Sequence, residues 1–218
     1  MDLNGAEETA HLKAEDSTMQ ETLSNPLRDD AFFKSDALKI ERIAEKFRDI
    51  IEILGLDLSD DSLQDTPHRV AKMYVNEIFK GLNPKNKPEI TVFKNSYNYH
   101  EPLLELNIPF TSFCEHHFVP IQGKASIAYI PSDYVIGLSK IHRLVNYLSQ
   151  RPQVQERLTQ QIAFELESVV MTPDVGVVLN ASHSCISCRG VEHLGTTTRT
   201  SAFRGQFKNN SSLKLLLQ

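Results

Sequence analysis

Ser112-Phe-Cys-Glu-His-His-Phe-Val-Pro120 packs a thiol and two adjacent imidazoles into four residues, and it falls between two stretches, 103–113 and 121–130, that read as strands. In the second of these Ile121, Ala125, Ile127 and Tyr129 alternate with polar or small residues, as a half-buried strand requires. The quoted residues are then the connection between strands. Cys114 and His117 are three apart and would face opposite ways on an extended chain, so they converge only if this connection is a turn. Zinc takes thiolate sulfur and neutral imidazole nitrogen, and the Cys-x-x-His spacer suits it.

A second cluster, Ala181-Ser-His-Ser-Cys-Ile-Ser-Cys-Arg189, follows a run of apolar residues from Val175. If 175–185 is one strand, His183 and Cys185 leave its end on the same side. Two zinc readings then compete. With Cys188 the set is Cys3His, which is closed and normally structural. Without it, Cys114, His117 and Cys185 leave a fourth position to water, as a catalytic site does. Spacing favours the closed set, whereas the two remaining imidazoles, His116 and His183, favour the open one. Thiols buried as small apolar groups with no metal are a third reading, opposed by the confinement of all three cysteines to the two clusters.

Composition sets the outer limits. A chain of 218 residues, 40% of them apolar, can bury one substantial core, with or without an appendage. No apolar run approaches the ~20 residues that span a bilayer, and the acidic N-terminus has no basic, apolar leader pattern, so neither membrane insertion nor export is expected. Three cysteines clustered with histidines suit a reducing compartment, which predicts a cytoplasmic protein. The net charge of −5 is concentrated at one end: residues 1–30 carry eight acidic and two basic side chains, leaving a nearly neutral body. An anionic ligand is therefore admissible, while the basic stripe of a nucleic-acid surface is missing.

In chain order, residues 1–32 are rich in Glu, Asp, Ser and Thr without apolar periodicity and predict a disordered acidic tail. Residues 33–98 predict a helical region. Its first helix has Ser35 as N-cap and an apolar stripe through Ile40, Ile43, Phe47, Ile50 and Leu54, ending near Gly55. Its second opens at Asp65-Thr-Pro-His-Arg69, with Thr66 as cap and Pro67 in the first turn, and runs to Gly81. Residues 82–100 predict a connector. The remainder, 99–218, predicts the main domain, which the resemblance given below makes the catalytic one: the strand pair, a helix from a Ser139 N-cap to Arg151-Pro152, a helix over 154–170, and strands at 175–185 and about 196–204. Without regular βαβ alternation this is α+β with an antiparallel sheet.

Taken together, Cys114-Glu-His-His-Phe118, Gly123-Lys-Ala-Ser-Ile-Ala-Tyr-Ile-Pro131, Ile136-Gly-Leu-Ser-Lys-Ile141, Arg151-Pro-Gln-Val-Gln-Glu-Arg-Leu-Thr159 and His183-x-Cys-x-x-x-Arg-Gly190 resemble GTP cyclohydrolase I of the bacterial type. The resemblance runs from Asp65 to Phe207. It implies hydrolytic opening of the guanine imidazole ring of GTP, loss of C8 as formate and reclosure to 7,8-dihydroneopterin triphosphate, the first step towards folate or biopterin. It also implies the tunnelling fold, in which subunits join their sheets into a barrel, usually as a homodecamer of two pentamers.

Residue by residue, the resemblance places zinc on Cys114, His117 and Cys185, and gives Cys188 no metal role. His116 and His183 match the general acid/base positions, and Ser139 a group assisting the later rearrangement and reclosure. Glu156 matches the guanine anchor, since a carboxylate accepts from N1–H and the 2-amino group together, and Gln155 an adjoining polar contact. Lys140, Arg143, Arg189 and Arg69 match triphosphate contacts, with Arg69 supplied by a neighbouring subunit; without the resemblance each would be an ordinary surface charge. Two other readings stand beside this one. A non-catalytic, zinc-stabilised oligomeric binding protein would use the Cys3His set. A zinc nucleobase deaminase would need His-x-Glu with Pro-Cys-x-x-Cys, which the sequence lacks.

Overall fold

Helix α1, Asp36–Ile53, begins where Ser35 Oγ accepts the Leu38 N–H at 3.3 Å and ends before Gly55, whose φ of +79° suits glycine. The structure, a computed structural model, describes residues 23–218. Helix α2, Thr66–Met73, has Asp65 at the capping position and Thr66 already inside, with Pro67 in the first turn. The expected single helix up to Gly81 is broken: a π turn covers Tyr74–Ile78 and a 3-10 turn Lys80–Leu82. Tertiary contact explains the tightening. Gly81 N–H donates to Gln150 O at 2.9 Å and its carbonyl accepts from Arg151 Nε at 2.8 Å. A Cβ on Gly81 would lie 2.1 Å from Tyr147 O. Gly81→Ala is therefore expected to destabilise the fold by about 3 kcal/mol, from overpacking plus strained hydrogen bonds, measured as a lowered urea midpoint.

The main sheet contains β2 (Leu103–Cys114), β3 (Pro120–Tyr129), β5 (Pro152–Gln153), β6 (Val175–His183) and β7 (Thr198–Phe203) in the order β5-β2-β3-β6-β7. All neighbours are antiparallel except β2 and β5, which pair in parallel as Phe113↔Pro152 and Cys114↔Gln153. A separate two-stranded ribbon pairs β1 (Val92–Lys94) with β4 (Tyr134–Ile136). Neither the ribbon nor β5 is visible as periodicity, because two or three residues are too few to establish one.

Two helices cover one face of the sheet: α3, Leu138–Ser149, and α4, Gln155–Val170. Ile141, Leu144, Leu158, Ile162 and Leu166 are buried there against Ile121 and Ile127, at roughly 1.5–3 kcal/mol for each large apolar side chain. The opposite face carries a smaller cluster of Ala128, Val178, Phe207 and Leu217. Its covering comes from two short turns of helix near the C-terminus, α6 (Gln206–Asn209) and α7 (Ser211–Leu215). Mixed helices and an antiparallel sheet without βαβ repetition match the α+β expectation. Among the described residues no helix is long and apolar enough to cross a membrane.

Three local expectations need correction. Ser139 does not cap α3; Gly137 does, because β4 ends at Ile136 and leads directly into the helix. The strand expected over 175–185 stops at His183, and Cys185 lies in a helical turn, α5, Ser184–Ser187. Of the tail expected at 1–32, residues 1–22 lie outside the described residues, whereas Asn25 is buried, its Nδ2 donating to Pro152 O at 2.8 Å.

Candidate active site

The ends of β2 and β6 reach the same place, and two thiols lie close together there. Cys114, the last residue of β2, is 5% exposed, and its thiol lies close enough to that of Cys185 on α5 to shift its titration. Burial raises the Cys185 thiol above its ordinary pKa, and the neighbouring Cys114 adds to the effect. The turn after Cys114 is closed by Phe118 N–H donating to Cys114 O at 2.8 Å, as convergence of Cys114 and His117 required. Phe118 pays for this turn with a φ of +54°, held by the rings of Phe79 and Tyr74 at 5.1 and 6.2 Å.

The imidazoles are less convergent than the thiols. His116 Nδ1 lies 3.6 Å from Cys114 Sγ. His117 turns its Nε2 to Arg189 Nη1 at 3.4 Å; since guanidinium only donates, that nitrogen presents its lone pair. Among the described residues, no group of three or more His, Cys, Asp or Glu side chains is placed to hold a metal ion. The donor types nevertheless fit zinc: two adjacent thiols, with an unprotonated imidazole nitrogen on the same turn. Cys188 is exposed at the end of α5.

His183 closes β6 with its ring held from behind. Gln155, the first residue of α4, is buried, and its Nε2 donates to Leu179 O, Thr198 O and Thr200 Oγ1 at 3.2, 3.0 and 3.0 Å. Its Oε1 is left to face His183 Nε2 at 2.7 Å, so that nitrogen carries the proton and Nδ1 is the free base. Burial lowers the His183 pKa, while the carboxylate of Glu156 pulls it upward. The amide of Gln155, expected to touch a ligand, is thus committed to orienting His183, and the exposed carboxylate beside it belongs to Glu156.

The basic residues are dispersed. Lys140 is in the first turn of α3 with Nζ on Glu89 O at 3.0 Å, and Ser139 and Arg143 are exposed on the same helix. Arg69 is on α2, donating to Ser62 O at 2.7 Å and Thr66 Oγ1 at 2.8 Å.

The sequence profile of the GTP cyclohydrolase I family matches residues 43–217. The chain belongs to the GTP cyclohydrolase I family. It is 50% identical to GTP cyclohydrolase 1 of Flavobacterium johnsoniae over 89% of this chain and 87% of that protein. It is 47% identical to the enzyme of that name in Aliivibrio salmonicida over 91% of each chain, and 46% identical to that of Vibrio parahaemolyticus over 97% and 96%. The match includes both thiol-bearing turns and all of α3 and α4.

In this GTP cyclohydrolase I chain, cavity size is a poor guide to the chemistry. A cavity of about 670 Å³ is walled by α1 and by Tyr74, Phe79 and Phe118, with no thiol or imidazole in its lining. A smaller one of about 380 Å³ is lined by Glu115, His116 and Phe118 together with Asn25 and Pro152. Sequence spacing does not single out Glu115, because its partner, Arg157, is 42 residues away. The one available signal was a carboxylate set between metal-binding residue types.

Proposed function

We propose that this chain catalyses the hydrolytic opening of the guanine imidazole ring of GTP, releasing C8 as formate and forming 7,8-dihydroneopterin triphosphate, the first step of tetrahydrofolate or biopterin synthesis. Family membership supports the reaction class. The observation that carries the residue assignments is the proximity of Cys114 and Cys185 beside His116, with His183 held by Gln155, the neighbour of Glu156.

Cys114, His117 and Cys185 are the residues that would hold zinc, with His117 turning from Arg189 to do so. When bound, the ion supplies Lewis-acid activation of water at neutral pH. Glu156 accepts from guanine N1–H and the 2-amino group, which selects guanine over adenine, because adenine would leave the carboxylate unpaired. His183 Nδ1, left basic by the Nε2–H bond to Gln155, accepts the proton that the attacking water gives up and delivers it to an imidazole nitrogen of the purine, and His116 serves the opposite side. Protonation there makes C8 electrophilic. Gln155 acts by fixing the tautomer of His183.

The triphosphate lies at the start of α3, whose first-turn amides and positive dipole end favour an anion, with Lys140, Arg143 and Arg189 as cations. Ser139, in that same turn, assists the later rearrangement. Arg69 comes from a neighbouring subunit, which fits its position on α2, where among the described residues its guanidinium hydrogen-bonds to its own helix and the loop before it. The protein assembles through the tunnelling fold into a homodecamer of two pentamers, and the three free thiols suit the cytoplasm.

The test is to incubate the purified protein with GTP and measure formate, pterin absorbance and zinc content. Stoichiometric zinc with no formate would remove this reading. Cys188→Ser is expected to leave both zinc and formate release at the wild-type level, since that thiol is exposed whereas Cys114 is buried and Cys185 partly so. Loss of zinc from this variant would favour a closed Cys3His site and a binding protein.

A further inference from the structure

A line of buried polar side chains runs from the N-terminal residues of the described chain to Glu115, the residue between the thiol and the imidazoles. Glu115 is gripped twice: its backbone N–H donates to Gln153 O at 3.0 Å, and its carboxylate accepts from Arg157 Nη2. Arg157 Nε donates to Gln153 Oε1 at 3.0 Å, and Nη2 also reaches Pro152 O at 3.4 Å. Gln153 is fully buried, and its Nε2 donates to Leu148 O at 3.0 Å and to Gln161 Oε1 at 2.7 Å. Gln161 Nε2 donates in turn to Leu23 O and to Asn25 Oδ1, and Asn25 Nδ2 to Pro152 O.

The direction of the bonds in this line is fixed at several points: Arg157 faces Gln153 Oε1, the carbonyls of Leu148, Leu23 and Pro152 face the amide nitrogens of Gln153, Gln161 and Asn25, and Arg151 Nη1 donates to Asn25 Oδ1 at 3.3 Å. A guanidinium has donors and no acceptor, so Arg157 forces Gln153 to present its oxygen to it. The Gln153 amide nitrogen must then face Gln161, whose own nitrogen must face Leu23 and Asn25. The Asn25 nitrogen is left for Pro152, the neighbour of Gln153. Reversing any one amide would set oxygen against oxygen in a site away from water, at a cost of the order of 1–3 kcal/mol for each unsatisfied group. The line is thus single-valued, and its output is the placement of Glu115.

We propose that Arg157 is a positioning residue: through Glu115 it fixes the backbone of the Cys114–His117 turn, from which the metal ligands would project, and through Gln153 and Gln161 it ties that turn to Asn25. The proposal rests on the reading of this turn as metal-holding. Arg157 suits the task because its planar fork satisfies Glu115 and Gln153 at once, which the single ammonium of lysine cannot do. A partly buried pair, with side chains 15% and 27% exposed, is also better fixed than a surface ion pair.

The test uses full-length protein carrying zinc, with zinc affinity read by competition against a chromophoric chelator and kcat and KM for GTP read by formate release. Arg157→Met is expected to lower zinc affinity and kcat about 10- to 100-fold, the usual effect of removing a group behind a metal ligand, with KM for GTP within about 2-fold of wild type. Arg157→Lys recovers part of the loss. Adding Glu115→Gln to either variant costs little more than the worse single change, because both act along one route. Wild-type zinc affinity and kcat in Arg157→Met would overturn the proposal. So would a change confined to KM, which would make Arg157 a substrate contact, or additive losses in the double variant. Should Arg157→Met fail to fold, Arg157→Lys with and without Glu115→Gln decides by the same additivity. Wild-type protein holding no zinc and releasing no formate would instead remove the reading of the site, and the role given to Arg157 with it.

Discussion

Glu156→Ala is expected to abolish formate release from GTP while the zinc content stays at the wild-type level. Glu156 is exposed in the first turn of α4, so its removal leaves no buried group unpaired and no cavity in the core. Its loss is local and chemical. A carboxylate that accepts two hydrogen bonds from one guanine edge makes charge-assisted contacts that alanine cannot replace, and sites built to recognise a polar edge discriminate by about 10⁴-fold or more. A fall in kcat/KM of at least about 10³-fold is the predicted outcome. The measurement is formate per subunit beside zinc per subunit, and wild-type turnover in the variant would show that the base is held elsewhere. Zinc loss would instead place Glu156 in the scaffold of the metal site.

Cys185→Ser is expected to do the reverse, losing the metal first and the activity as a consequence. Cys185 lies close to Cys114 at the junction of β6 and α5, and a serine hydroxyl there is a poor ligand at neutral pH. Loss of groups behind a ligand already costs about 10- to 100-fold, so removing a thiolate itself is expected to exceed that in zinc affinity. The serine is close in volume to the cysteine, which is only partly buried, so the fold is retained. Zinc analysis after dialysis, with circular dichroism as the control for folding, gives the answer. A variant that keeps full zinc would exclude Cys185 from the ligand set.

The sequence made some parts of this arrangement plain and hid others for physical reasons. Helix α1 could be read because Ser35 and Gly55 mark its ends chemically and its apolar stripe is long enough to show a period. The β2–β3 hairpin could be read because the turn it requires is also the turn the metal chemistry requires. Gly137 replaced Ser139 as the cap because strand β4, three residues long, brings the chain to the helix early. Cys185 kept its place next to Cys114 although the backbone beneath it is helical, since the end of β6 has already delivered the chain to that spot. The pair Glu115 and Arg157 was hidden because no periodicity relates residues joined only by a short parallel bridge. Composition likewise concealed Asn25, whose polar neighbours look like a solvated tail while its own amide is buried.

That bridge also has a metric consequence. Gln153 is in register with Cys114, and only Val154 and Gln155 separate it from Glu156. The interval works as a ruler between the sulfur and the carboxylate. One residue added to it would lengthen an extended chain by about 3.3 Å and rotate a helix by roughly 100°, so the carboxylate could not keep its bearing on the thiols. The chain from Gly190 to Thr197, exposed throughout, is in register with no strand and carries no such dimension.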